Sequence, residues 1–183
     1  DFILGAAASA WQTEGWSGKK EGQDSWPDLW YKHDRHVCHN GYGPSVATDF
    51  INRFREDVQL MKLAGLTHYR TSINWSRFLT DYDAVTVDEE YASYYDQLFD
   101  ELLANGIEPM ICLEHYELPG YLLEQYGGWA SKKVVELYVR YVEQVFARYH
   151  HKVTRWFTFN EPIVVQTRVY LDALRWPYEQ NSA

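Results

Sequence analysis

The segment Thr158-Phe159-Asn160-Glu161-Pro162 sets an amide and a carboxylate side by side, between an aromatic strand (Trp156 to Phe159) and a proline. A carboxyl group so placed can serve as a general acid, provided burial or a neighbouring carboxylate raises its pKa toward neutrality. Alone, Glu161 reads equally well as a helix cap or a surface ion-pair partner. It has company. Gln12, Glu14, Arg70, His115 and Asn160 also fall near the C-terminal ends of predicted strands. Amide, imidazole and carboxylate groups beside tryptophan rings are what sugar hydroxyls and apolar sugar faces require. Taken singly, Gln12 is as readily a loop amide, His115 a satisfied core histidine and Arg70 an ion-pair partner.

These groups can act together only if the elements carrying them open onto one mouth. Ile3 to Ser9 is a short apolar run, and residues 15–45, polar and rich in Gly and Trp, read as one long loop. A helix is predicted from Thr48–Asp49, with Phe50, Phe54, Val58, Met61 and Leu63–Ala64 at helical spacing, ending at Gly65. A strand follows over Leu66 to Ile73. A second helix starts at Asp88, with Glu89 and Glu90 in the first turn, where carboxylates suit the helix dipole. Its stripe is Tyr91, Tyr95, Leu98 and Leu102, and Gly106 stops it. Ile107 to Glu114 is the next strand, and a loop with a short helical piece leads to Ser131, a predicted cap. The third helix runs to about His150 with Val135, Tyr138, Val142, Val145, Phe146 and Tyr149 on one side, and Val153 to Phe159 is the last strand.

The strands do not alternate cleanly between apolar and polar, as expected of a parallel sheet covered on both faces. An open doubly wound sheet predicts a glycine-rich turn after the first strand, and neither G-x-G-x-x-G nor a phosphate-binding G-x-x-x-x-G-K occurs. An eight-unit barrel predicts polar and aromatic residues at every strand's C-terminal end, as found here. The fold class is therefore α/β, a (β/α)8 barrel. The later strands begin roughly 40–46 residues apart, so eight units need about 350 residues. The chain supplies four of them, with an open sheet edge and an uncovered inner face as the expected consequence.

Five segments carry a more specific signal: Ala8 to Gly15 (ASAWQTEG), Tyr69 to Arg77 (YRTSINWSR), His115 to Pro119 (HYELP), Tyr126 to Trp129 (YGGW) and Thr158 to Pro162 (TFNEP). Together, and in this order, they resemble the retaining β-glycosidases of glycoside hydrolase family one, across essentially the whole chain. The resemblance implies a (β/α)8 barrel that cleaves β-glycosides by double displacement. Glu161 matches the general acid/base, Asn160 the residue that bonds the sugar 2-hydroxyl, and Gln12 and His115 residues that bind glycone hydroxyls. Trp129 falls near the sugar, and Arg70 matches the arginine beside the nucleophile, where a cation keeps a carboxylate ionised. The family's nucleophile is a glutamate on the seventh strand, outside residues 1–183, so the segment alone is expected to be inactive. Glu114 is a poor substitute, since strand alternation turns it away from His115. Tyr116 and Glu117, where plain β-glucosidases more often carry Trp and Asp, resemble the 6-phospho-β-glucosidases. Residues 1–183 are then the N-terminal half of a single glycosidase barrel.

Composition limits the rest. Net charge is −9 with a pI near 5.2, which argues against nucleic acid, since neutralising phosphates needs a cationic surplus. No run of eighteen apolar residues could span a membrane and no basic, apolar leader opens the chain. Asp1 in place of Met marks a processed chain or one beginning inside a longer product. A small-molecule β-glycoside, 6-phosphorylated, is the expected partner, with a homo-oligomer allowed, a cytoplasmic setting and no cofactor. His33, His36, Cys38 and His39 are zinc-type ligands at irregular spacing and read as solvated loop residues rather than a metal site. A Cys38–Cys112 disulfide is not expected. Eight Trp and fifteen Tyr suit either a sugar-stacking cleft or bulky core packing. The rival readings are a plain β-glucosidase or 6-phospho-β-galactosidase, a non-catalytic sugar-binding half barrel, and an acidic scaffold.

Overall fold

A computed structural model describes residues 3–171 and Pro177. In chain order the elements are β1 (Gly5–Ala7), α1 (Ala10–Thr13), α2 (Trp26–His33), α3 (Phe50–Leu63), β2 (His68–Ser72), α4 (Trp75–Phe78), a hairpin of β3 (Leu79–Asp81) and β4 (Thr86–Val87), α5 (Glu89–Ala104), β5 (Glu108–Cys112), α6 (Gly120–Tyr126), α7 (Lys132–Tyr149), β6 (Arg155–Phe157) and α8 (Pro162–Val165). Strands β1, β2, β5 and β6 pair in that order, all parallel, with Ala7 opposite Arg70, Arg70 opposite Met110, and Met110 opposite Arg155. Each crossover carries a helix, so every strand's C-terminal end opens to the same side. Gly5 lets β1 approach β2, since a Cβ there would lie 2.6 Å from the His68 carbonyl oxygen.

Successive strand residues face opposite ways. Tyr69 packs on Phe50 of α3 with ring centroids 5.8 Å apart, while Arg70 lies on the other face with its guanidinium 5.1 Å from the Phe157 ring centre. That second face is the inside of the curved sheet, and it is open: Gly5 to Ala7 are exposed throughout.

The helices form where the periodic stripes predict. Asp88 caps α5 by accepting the Tyr91 N–H, and Tyr91, Tyr95, Leu98 and Leu102 are all buried. Leu63, assigned to the stripe of α3, is exposed, and Phe50, Phe54 and Val58 alone are its fully buried contacts. On α7 the inward face is turned by about one residue: Val135 and Phe146 are exposed, while Val134, Leu137, Tyr138, Tyr141, Val145 and Tyr149 are buried. Tyr141, outside the predicted side, joins Tyr138 and Tyr149 in the core. Tyr141 Oη donates to the carbonyls of Ile73 and Leu113 (3.2 Å each), Tyr149 to Ala92 (2.7 Å) and Tyr138 to Thr158 (2.7 Å), so three phenols enter the core with their hydroxyls satisfied. Ser131 precedes α7 but its side chain makes no capping bond.

The first loop is not structureless. Residues 26–33 form α2, started by Asp28, whose Oδ2 accepts the Ser25 N–H at 3.0 Å, with a proline in the first turn. Asp28 also accepts the indole N–H groups of Trp11 (3.0 Å) and Trp16 (2.9 Å) and the Lys19 ammonium (2.8 Å). One buried carboxylate thus ties down the segment following β1. His33, at the end of α2, and His36 and His39, on the single turns that follow it, are all exposed, and among the described residues no group of three or more His, Cys, Asp or Glu could hold a metal ion. Cys38 and Cys112 are both free. No helix among the described residues is long and apolar enough to cross a membrane.

Many of the aromatic residues are core. Trp75, fully buried, stacks on Tyr141 with centroids 5.1 Å apart, and Tyr95, Tyr149, Phe78 and Phe99 are buried with it.

Candidate active site

Strand β6 ends at Phe157, and Asn160 and Glu161 lie beyond it, so strand alternation no longer sets where they point. Pro162, unable to donate to a ladder, heads α8. Asn160 is held from two sides. Its N–H donates to the Glu114 carbonyl at 2.9 Å, and its amide oxygen accepts from Arg70 Nη2 at 2.9 Å. Glu161 is exposed beside it, with φ of +44°, and its Oε2 accepts from the Tyr116 hydroxyl at 2.6 Å. Arg70, Asn160 and Glu161 therefore form one cluster from strands 90 residues apart in sequence.

His115 sits on the loop after β5, 9% exposed, with Nδ1 among the buried polar atoms that have no protein partner. Burial, and then the nearby Arg70 charge, push its pKa down to about 4 against an opposing pull from Glu161. The imidazole is neutral at pH 7, one nitrogen donating and one accepting, as a pair of sugar hydroxyls needs. Gln12, on α1, is exposed, and its Oε1 accepts from the Ser9 hydroxyl at 2.9 Å. Trp129 packs among aromatic rings, 5.9 Å from Trp75, 5.3 Å from Tyr138 and 5.2 Å from Phe159. It adjoins the cluster through Phe159, the neighbour of Asn160.

Glu14 turns the other way. It is buried, accepting from the hydroxyls of Tyr91 and Tyr95 with Arg77 Nη1 3.9 Å away, and takes no place at the mouth. It closes a buried polar network behind α5.

The family model for glycosyl hydrolase family 1 matches residues 1–182. The chain belongs to that family. It is 36% identical over 178 residues to the 6-phospho-beta-glucosidase GmuD of Bacillus subtilis, covering 97% of this chain and 38% of that protein. It is 38% identical over 165 residues to Beta-glucosidase 42 of Arabidopsis thaliana, covering 88% of this chain and 33% of the relative. The crystal structure of the rice Os3BGlu6 beta-glucosidase superposes with a TM-score of 0.89 at 34% identity, over 98% of this chain and 37% of the other. The chain thus spans well under half the length of these family 1 proteins, and its four parallel strands are the first four βα units of the (β/α)8 barrel.

Three further residues of this family 1 segment escaped the reading by spacing. Glu117 is fully buried. Its Oε1 accepts the Ser72 hydroxyl at 2.6 Å and the Trp11 N–H at 3.4 Å, and its Oε2 accepts the His115 N–H at 2.7 Å. Ser72 in turn accepts the Ala10 N–H at 2.8 Å. One carboxyl group thus pins the ends of β1, β2 and β5, and with them α1, which carries Gln12, and the backbone of His115. Tyr116, φ +74°, supplies the hydroxyl on Glu161. Tyr116 and Glu117 lie in the matched HYELP segment, but residue type alone gave neither a hydrogen-bond partner.

Glu114 is 1% exposed, out of reach of a substrate, and bonds the N–H groups of Tyr116 and Leu118. Burial raises its pKa to about 8. Between about pH 4.5, the ordinary value, and pH 8 the folded state holds a proton that the unfolded state has lost, so stability falls as pH rises through that window. In Glu114→Gln that component vanishes. The difference in urea midpoint between Glu114→Gln and wild type is expected to shift in the variant's favour from pH 5 to pH 8. Parallel urea titrations at the two pH values check it, and a constant difference would contradict it.

Proposed function

We propose that the longer protein containing this segment hydrolyses β-glucosides, 6-phosphorylated ones by preference, with retention through double displacement. The observation that carries the reading is the exposed Glu161 carboxyl group beside an Asn160 held by Arg70. Glu161 protonates the leaving oxygen and then activates water. Asn160 bonds the 2-hydroxyl, a contact that strengthens in the transition state. Gln12 and His115 bind glycone hydroxyls, and Trp129 backs the sugar. The nucleophile is a glutamate of the seventh strand, with Arg70 beside it to keep it ionised. No cofactor or metal takes part.

Residues 1–183 form the N-terminal half of a single barrel domain and are inactive alone. The open inner face, with Gly5 to Ala7 exposed and Phe157 37% exposed, supports this, since four further units are needed to cover it. The names of relatives such as GmuD support the phosphorylated substrate, and a phosphate group, which does not cross a bilayer unaided, is consistent with a cytoplasmic reaction. Likeness to a plain beta-glucosidase at a TM-score of 0.89 favours the second reading, an unphosphorylated glucoside.

Steady-state kinetics on 4-nitrophenyl β-glucoside and its 6-phosphate separate the two. With the full-length protein, kcat/KM is expected to be about 100-fold or more higher for the phosphate, because a site built for a charged group is left unpaired without it. Equal values establish the plain β-glucosidase. The 183-residue segment is expected to turn over neither compound.

A further inference from the structure

We infer that Tyr116 is a positioning residue for Glu161, fixing which carboxyl oxygen carries the transferable proton; the inference rests on Glu161 being the acid/base. The hydroxyl of Tyr116 donates to Glu161 Oε2 at 2.6 Å across 45 residues of sequence. Both partners, neither of them glycine, take left-handed backbone angles, φ +74° and +44°. Such conformations persist only where surrounding contacts hold them.

On the Tyr116 side those contacts are visible. The carboxyl of Glu114 takes the Tyr116 N–H, and that of Glu117 takes the neighbouring N–H of His115 at 2.7 Å. The phenol ring stands edge-on to Trp26 (centroids 6.3 Å, 86°) and to His115 (5.5 Å, 82°). Its hydroxyl is therefore delivered by a braced loop rather than by a free surface side chain.

The chemistry follows from the donor. With Oε2 occupied as an acceptor, the acid form of Glu161 carries its proton on Oε1. In the first step that proton passes from Oε1 to the glycosidic oxygen as the bond from the anomeric carbon to that oxygen breaks. The electron pair of the broken bond stays on the departing alcohol, and the nucleophile's carboxylate forms the new bond to the sugar. In the second step Oε1 takes a proton from water as the water oxygen attacks the anomeric carbon and the nucleophile leaves. Tyr116 keeps its own proton throughout and holds Oε2 as an acceptor in both protonation states of the carboxyl group. Among the described residues, the other charged or titratable groups facing Glu161 are His115, from the same loop, and Arg70 on β2, which reaches it through Asn160.

The experiment is the pH dependence of kcat/KM for the full-length protein on a methyl β-glucoside, phosphorylated as the enzyme requires. The basic limb reports the acid form of Glu161. Tyr116→Phe keeps the ring and removes the donor, and is expected to move that limb up, since a hydrogen bond to the carboxylate favours the ionised form. Its kcat/KM on the dinitrophenyl glycoside, whose bond cleavage needs no acid, should stay within about twofold. Installing 3-fluorotyrosine at position 116 strengthens the donor without changing its place and is expected to move the limb down, a readout that survives if Tyr116→Phe folds poorly. A limb unmoved by either change overturns the inference. Glu161→Gln runs alongside: if it still cleaves the methyl glycoside at the wild-type rate, the acid/base assignment has failed, whatever Tyr116 does.

Discussion

In the full-length protein, Glu161→Gln is expected to lower kcat on alkyl β-glucosides by about 10²- to 10⁴-fold, the usual contribution of a positioned general acid. An alkoxide is a poor leaving group and depends on protonation at the moment the bond breaks. A dinitrophenolate departs without it, so formation of the glycosyl-enzyme from such a substrate should hardly change. Hydrolysis of that intermediate should then become limiting, because Glu161 is also the base that activates water. A burst of dinitrophenolate followed by slow turnover is the expected trace. Added azide, a nucleophile that needs no base, should restore the steady rate. Glutamine preserves the shape at a residue that is exposed and whose Oε2 accepts a single side-chain bond, from Tyr116, so folding is not in question. Unchanged kinetics on the alkyl substrate would remove Glu161 from the mechanism.

Glu117→Ala is expected to destabilise the fold by about 3–5 kcal/mol, read as a loss in urea midpoint. Three donors lose their acceptor together: the Ser72 hydroxyl and the N–H groups of Trp11 and His115. Each buried group left unpaired costs about 1–3 kcal/mol, part of which entering water recovers. Glu117→Gln keeps an oxygen to accept and most of the volume, and should lose under about 1.5 kcal/mol. Burial raises the pKa of Glu117 well above its ordinary range. The folded state therefore retains this proton as pH rises past 4.5 while the unfolded state releases it, and wild-type stability falls with pH. The gap between wild type and Glu117→Gln should accordingly narrow from pH 5 to pH 8. If Glu117→Ala unfolds with the wild-type midpoint, the three strand ends are not held by this carboxyl group.

Local signals were legible where they did not depend on partners. Asp88 followed by two glutamates announced α5, and Gly65 and Gly106 marked helix ends that the structure keeps. The start of α2 was equally local, with Ser25, Pro27 and Asp28 in place, but its surroundings of Gly, Trp and His masked it. On α7 the predicted side held Tyr138, Val145 and Tyr149 but missed Val134, Leu137 and Tyr141, which are equally buried. Tyr138, Tyr141 and Tyr149 are core residues only because backbone carbonyls of other elements receive their hydroxyls.

Residue types, the order of elements and the five matched segments determined, from sequence alone, a parallel α/β barrel and a group of strand-end side chains suited to a sugar. Pattern suffices for this, since helix and strand periodicity and the shared direction of parallel strands are properties of the chain itself. Only the tertiary structure decided which of those side chains meet. It joined Arg70 to Asn160, turned Glu14 inward to two tyrosines, buried Glu114, and set the Tyr116 hydroxyl on Glu161. Those outcomes rest on backbone angles beyond the strand ends and on hydrogen bonds between residues tens of positions apart, neither of which any local stretch of sequence encodes.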